Sequence, residues 1–290
     1  MKKSFPKEFA PVSTCFYDSR VPVKFTILGS GSTGNCAYLE TDQVRLLIDA
    51  GFSGRQIRRR LASIERTPEL LNGILITHEH TDHTQGLKTI AAKLNIPVYC
   101  NRLTAEAIDS QFQTRLDYRV FATGSSFDIG DVAIDTFSVP HDAYDPVGFL
   151  LRTTAGNIGF LTDLGHATQL VVERVRPANY LVLEANYDVH LLQADTRRPW
   201  PTKQRIMSRH GHLSNDGAAT VAEQIVSDNL KAIFLGHLSQ DCNRPELATD
   251  TVRKKLSAIG VTHVSVTAAE QHEPLPTLYL GHESPATLSK

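Results

Sequence analysis

The sequence predicts an α/β (α+β) protein built as a four-layer αβ/βα sandwich, two sheets packed face to face with helices on both outer faces. Three observations predict it. Short apolar runs rich in β-branched residues alternate with stretches of helical period along most of the chain. No repeat, low-complexity stretch or linker interrupts that alternation, so no second domain is required. Several apolar runs end abruptly on a histidine or an aspartate, which would gather those polar side chains on one rim of the sandwich.

Taken in order, strands are expected over 24–28, 37–41 and 44–48, where β-branched, aromatic and leucine residues crowd between turn formers. Between the first two, Gly29-Ser-Gly31-Ser-Thr-Gly34 literally matches G-x-G-x-x-G, and Asp49 follows at about the distance of a dinucleotide site. Such a site needs a helix opening at the loop to present its amides to a pyrophosphate. Residues 35–41 read instead as a short strand, so a tight turn between strands is expected. Its Ser30, Ser32 and Asn35 are candidates to line a substrate cleft and face an anion. A helix over 54–63, a strand over 73–77, a helix over 83–94, a strand over 97–100 and a helix over 103–113 follow. Strands over 132–139, 147–153 and 157–162 lead to a helix over 167–174, a strand over 180–184 and a helix over 215–229. The last elements are a strand over 232–236, a helix over 245–259, and strands over 261–268 and 277–280. Helix 245–259 has Pro245 in its first turn and stops before Gly260, as capping asymmetry requires. Residues 23–281 form one domain, with tails over 1–22 and 282–290.

Composition fits a globular enzyme: of 290 residues, 41% are hydrophobic and 21% charged. A net charge of -1 argues against a strongly basic nucleic-acid binder while leaving room for a local basic groove. No apolar run approaches the ~20 residues of a membrane span, and no membrane partner is expected. The N-terminal tail opens with Lys2 and Lys3 but has no apolar stretch of signal-peptide length. Cys15, Cys36, Cys100 and Cys242 show neither C-x-x-C spacing nor a disulfide framework, so a reducing cytoplasm is the expected location.

The chemistry concentrates in Ile76-Thr-His-Glu-His-Thr-Asp-His83. Alternate side chains of an extended segment share a face, so His78 and His80 can reach one cation together. Asp82 and His83 stand where the chain turns into a helix and can hold a second. Imidazole with carboxylate suits Zn²⁺ and neighbouring divalent metals.

That H-x-H-x-D-H spacing resembles the signature of the metallo-β-lactamase-fold hydrolases. The superfamily adds a lone histidine, an aspartate and a final histidine at strand ends, and His141, Asp163 and His237 stand in that order here. The resemblance implies that His78, His80 and His141 bind one metal and Asp82, His83 and His237 another. Asp163 would bridge them, since a carboxylate has two oxygens to share. Two divalent ions, Zn²⁺ by the histidine-rich donor set or Mn²⁺ in the same chemistry, would acidify a shared water into a bridging hydroxide nucleophile. The segments Leu183-Glu-Ala-Asn-Tyr-Asp188 and His210-Gly-His212-Leu-Ser-Asn215 resemble the transfer-RNA-processing branch. By that resemblance Glu184 orients His212, and His212 protonates the leaving oxygen. Ser214 or Asn215 would also cap the helix that follows. Asp82, His212 and Glu184 are thus the catalytic candidates, and Asp49 is expected to orient a ligand loop from behind.

The wording of residues 28–35, 49–51, 140–143, 162–165, 186–188, 211–215 and 237–239 is similar to the YycJ/WalJ-like branch of proposed DNA-processing hydrolases. The longer N-terminal tail and Cys242, in place of an expected asparagine, depart from that pattern. For a polyanionic substrate, which this resemblance implies is DNA, the stretch 197–210 is notable: it holds Arg197, Arg198, Lys203, Arg205 and Arg209, no acidic residue, and Trp200, which could stack on a base. Arg55 and Arg58 to Arg60 form a second cluster, read as the solvated face of a helix. The leading expectation is a dinuclear metal phosphodiesterase or nuclease acting on DNA. A hydrolase of a small ester, thioester or cyclic phosphate would instead show an enclosed pocket, and a non-catalytic scaffold would bind metal without hydrolysis.

Overall fold

A computed structural model describes residues 22–281, so the expected tails lie outside the described residues apart from Pro22. The first sheet is built from β1 (Val23–Gly29), β2 (Cys36–Glu40), β3 (Arg45–Ile48), β4 (Gly73–Leu75), β5 (Val98–Asn101) and β6 (Tyr118–Phe121), with β14 (Leu278–Leu280) beside β1. The second holds β7 (Ser126–Ile129), β8 (Val132–Ser138), β9 (Val147–Thr153), β10 (Gly156–Leu161), β11 (Tyr180–Glu184), β12 (Ala232–Gly236) and β13 (Ser265–Ala268) in that spatial order. Both sheets follow one plan. The β14-β1-β2-β3 and β7-β8-β9-β10 pairings are antiparallel, and those from β3 to β6 and from β10 to β13 are parallel. Parallel neighbours end on the same side, so β3, β4, β10, β11 and β12 deliver the residues after them to one rim.

Three apolar layers confirm the four-layer sandwich. Phe25, Ile27, Ile48, Phe149, Phe160 and Val182 fill the space between the sheets. On one outer face, α1 (Gly54–Ser63), α3 (Ala91–Leu94) and α4 (Arg102–Phe112) cover Leu47, Ile74 and Val98. On the other, α5 (Gln169–Val175), α8 (Asn215–Ile225) and α9 (Pro245–Ala258) cover Leu181, Leu183 and Leu235. Side-chain caps start several helices as their residue types demand: Ser53 with Gln56 in a capping box, Asn101, Thr168, and Ser214 accepting from Gly217 N.

The expected helix over 83–94 is instead two short pieces, α2 (Thr81–Thr84) and α3. Backbone bonds to another loop compete with the helix: Ala50 N donates to His83 O and Gly86 N to Ala50 O. A side chain at Gly86 would collide with the carbonyls of Phe52 and Ala50, so only glycine permits this approach. The edge strands β6 and β7 carry half-exposed residues without a long apolar run, and for that reason the sequence pattern does not show them. Two further short helices, α6 (Val189–Ala194) and α7 (Trp200–Ile206), occupy a stretch without clear helical period.

The Arg58 to Arg60 cluster splits. Arg58 is exposed and paired with Glu69, whereas Arg60 is buried, donates to the carbonyls of Leu28 and Gln271, and lies 3.9 Å over the Phe52 ring. Residues 57, 60 and 61 share the inward face of α1, and this explains why the solvated reading fails for Arg60.

Nearby, burial alone would raise the Glu40 carboxyl, but Arg66, Tyr38 and Lys24 outweigh it and hold it at about 2, below the ordinary 4.5. A depressed folded-state value adds stability above the unfolded value and loses it as pH falls through the folded one. The Glu40→Gln chain should therefore be less stable than wild type at pH 7, with the gap closing as pH falls from about 4.5 toward about 2. Urea midpoints at pH 7 and pH 3 check this, and an equal gap at both would refute it.

Candidate metal centre

Three of the rim residues share an unusual backbone. Asp49 after β3, Asp163 after β10 and His237 after β12 have φ of 59°, 55° and 55°, the left-handed region that non-glycine residues rarely occupy. The strained turn at each strand end is held by surrounding contacts at the site itself.

The expected donors converge in the expected groups. Donor atoms of His78, His80 and His141 lie within 4.8 Å of one another, as do those of Asp82, His83 and His237. Asp163 stands between them: its Oδ2 is 2.9 Å from His83 Nε2 and its Oδ1 3.7 Å from His141 Nε2. His78, His83, His141, Asp163 and His237 are all buried, while Asp82 and His80 open toward solvent.

Two observations show that this set fits cations. His78 Nε2 and Asp163 Oδ2 are buried without a hydrogen-bond partner among the described residues, a costly state for polar atoms. His83 lies between carboxylates, its Nδ1 2.7 Å from Asp49 Oδ2 and its Nε2 2.9 Å from Asp163 Oδ2. Burial alone would lower it, but Asp49, Asp163 and Asp82 prevail and raise it well above 6.5, so the site favours a positive charge at this point. Burial, with His83 beside it, pushes His78 well below its ordinary 6.5 and keeps it a neutral lone-pair donor. Burial alone would raise Asp163, but the imidazoles of His237 and His83 prevail and hold its carboxylate ionised.

The residues behind the donors fix their orientation. Asp49 accepts from Thr77 N and Thr77 Oγ1 as well as facing His83, and the carbonyl of Gly211 accepts from His141 Nδ1. Asp49→Asn is expected to weaken divalent-metal affinity about 10- to 100-fold, the usual effect of losing such a partner. Competition with a chromophoric chelator measures it, and unchanged affinity would remove Asp49 from this role.

Glu184 is the hub of the site. Its Oε1 accepts from His212 Nδ1 at 2.7 Å and His237 Nδ1 at 2.9 Å, and its Oε2 from Leu164 N and Leu213 N. It thus holds both His212 and His237, the latter a candidate metal donor. Burial alone would disfavour protonated His212, but the Glu184 carboxylate outweighs it and raises the imidazole above 6.5. With Nδ1 engaged, Nε2 is the ring nitrogen left for the cleft that His212 lines.

The cleft over these donors, about 220 Å³, is walled by Ser32, Asn186, Tyr187, Arg198, Arg205, Ser239 and Cys242. Ser30 and Asn35, candidates for substrate contact, are buried behind the donors: Ser30 Oγ accepts from His237 N and donates to Asn35 Oδ1, and Asn35 Nδ2 reaches Asp82 Oδ2. The glycine loop thus runs between β1 and β2 as a tight turn and braces the metal donors. Of the basic stretch, Arg198 and Arg205 reach the cleft; Arg197, Trp200, Lys203 and Arg209 do not line it. Sequence reasoning missed Asp142, which pairs with Arg205, and Asn186, whose Nδ2 donates to His237 O. Asp142 directly follows His141 within 140–143 and Asn186 opens 186–188, two stretches similar to the YycJ/WalJ-like branch, and these were the signals that pointed to them.

Comparisons with known proteins give the family and the fold. The beta-lactamase superfamily domain matches residues 44–234. Over 243 residues the chain is 39% identical to exodeoxyribonuclease WalJ of Streptococcus pneumoniae serotype 2, covering 82% of this chain and 90% of that one. It is 36% identical over 239 residues to exodeoxyribonuclease YycJ of Bacillus anthracis, covering 81% and 90%. Among solved structures, the metallo-β-lactamase fold protein YhfI from Bacillus subtilis superposes with a TM-score of 0.65 at 16% identity, covering 88% of this chain and 98% of that one. The short form of human tRNase Z gives 0.61 at 20%, covering 87% and 98%. At such identities the structural likeness establishes the fold alone.

Proposed function

Because the chain belongs to the metallo-β-lactamase-fold superfamily, in the branch of the WalJ- and YycJ-type proteins, we propose that it is a metal-dependent nuclease that hydrolyses phosphodiester bonds of DNA. The observation that carries this reading is the convergence of seven donors beside a histidine–carboxylate pair in one open cleft. In this reading His78, His80 and His141 hold one divalent ion and Asp82, His83 and His237 a second, with Asp163 shared. Zn²⁺ suits the imidazole-rich set and Mn²⁺ can serve in it. Bound there, such ions acidify a water and neutralise charge gathering on the attacked phosphorus.

The chain's own residues do the rest. Asp163, Asp82 and the five histidines fix where the phosphate sits. Glu184 holds His212 by Nδ1, so its Nε2 carries the proton delivered to the departing oxygen. The buried thiols of Cys36, Cys100 and Cys242 are free, and the reading places the protein in a reducing cytoplasm. Among the described residues no helix is long and apolar enough to cross a membrane.

The test is hydrolysis of labelled single- and double-stranded DNA and RNA by the metal-loaded chain, beside bis-p-nitrophenyl phosphate, with Asp82→Ala in parallel. DNA cleavage by wild type alone is expected. Cleavage of only the small diester would replace this reading with a small-molecule phosphodiesterase.

A further inference from the structure

The basic stretch contains unlike cations, and one of them is prepared for a ligand. Arg197 commits Nε to Asp195 and Nη2 to Asp241, and Arg198 commits Nη1 to Asp195 and Nη2 to Asp241. Lys203 is buried on the carbonyl of Gln193, and Arg209 turns to His166. Arg205 differs. It lines the cleft, its side chain is 65% exposed, and it donates to Asp142 through Nε alone. Among the described residues neither of its terminal nitrogens has a partner, so the outer edge of the guanidinium offers two parallel N–H donors, the geometry that grips a phosphate.

Asp142 fixes where that edge stands. One of its oxygens holds Arg205 and the other lies 3.4 Å from His141 Nε2, a candidate metal-donor atom. The carboxylate therefore sits between the metal donors and the guanidinium. Arg205 and the donors line the same cleft, so a strand whose cleaved phosphate sits on the donors can bring its neighbouring phosphate to the free edge.

We propose that Arg205, positioned by Asp142, binds the phosphate adjacent to the one being cleaved and thereby selects a polynucleotide over an isolated phosphodiester. This rests on the nuclease reading above. Arg205 touches substrate, and Asp142 is a positioning residue that acts through it.

The test compares kcat/KM on a single-stranded oligodeoxynucleotide with that on bis-p-nitrophenyl phosphate for wild type, Arg205→Ala, Arg205→Lys and Asp142→Asn, each with its metal content measured. The ratio of the two should fall about 10- to 100-fold in Arg205→Ala, the range for a hydrogen bond to a charged group. Lysine should restore only part, because an ammonium is a point charge without the fork. The slope of log affinity against log salt for the oligonucleotide should shrink by about 0.7, one phosphate contact on a single strand. Asp142→Asn should lower the ratio less and keep the wild-type slope. An unchanged ratio and slope in Arg205→Ala, or equal losses on both substrates, would overturn the assignment while leaving the nuclease reading intact. If wild type cleaves no polymer, the nuclease reading falls and Arg205 falls with it.

Discussion

Asp163→Ala is expected to lower DNA hydrolysis by at least about 10²- to 10³-fold, the effect of losing one well-placed electrostatic group, and to leave fewer than two metal ions per chain. The position explains the size of the effect. Asp163 is almost fully buried, lies within 3.7 Å of donors from both groups (His83 and His237 on one side, His141 on the other), and the imidazoles around it hold it ionised. No other carboxylate among the described residues stands between both groups. The apolar layers that hold the two sheets do not include this side chain, so loss of metal should come without loss of the fold. Metal analysis, circular dichroism and turnover measured on the same preparation check all three. Two ions per chain at wild-type turnover would remove Asp163 from the bridging role.

His212→Ala should behave differently, with turnover on DNA falling about 10²- to 10⁴-fold, the contribution of a positioned general acid, while metal content stays at the wild-type level. The side chain is partly exposed to the cleft and tied to Glu184 through Nδ1. The deficit should shrink for a substrate with a good leaving group such as p-nitrophenolate, which needs no proton to depart. Loss of metal in this variant would make His212 a ligand, and an equal deficit on both substrates would make it structural. Glu184→Gln is a harsher change, because the same carboxylate oxygen serves His212 and His237.

The metal donors were legible because their information is local. His78 and His80 alternate on an extended segment, and Asp163 and His237 each close an apolar run; that places them at strand ends, while the family resemblance supplied their roles. The same logic exposed the sheet runs and the helices with a clear apolar face, such as α1 and α9. Glu184 and His212 were legible only through family resemblance, since nothing in their spacing says that one carboxylate will hold two imidazoles.

The amino-acid sequence by itself determined the layered fold, the seven candidate donors and their order along the chain. Tertiary structure alone decided what surrounds them. Asp195, Asp241 and Asp142 neutralise most of a stretch that contains no acid of its own, and Arg205 meets Asp142 across 63 positions of sequence. Ser30 and Asn35 became braces rather than cleft wall because β1 and β2 place their loop behind Asp82 and His237. The helix over 83–94 broke because a passing loop offered its amides better partners. Periodicity encodes which face a side chain takes within its own element, whereas ion pairs and backbone approaches between distant elements exist only after the sheets have packed.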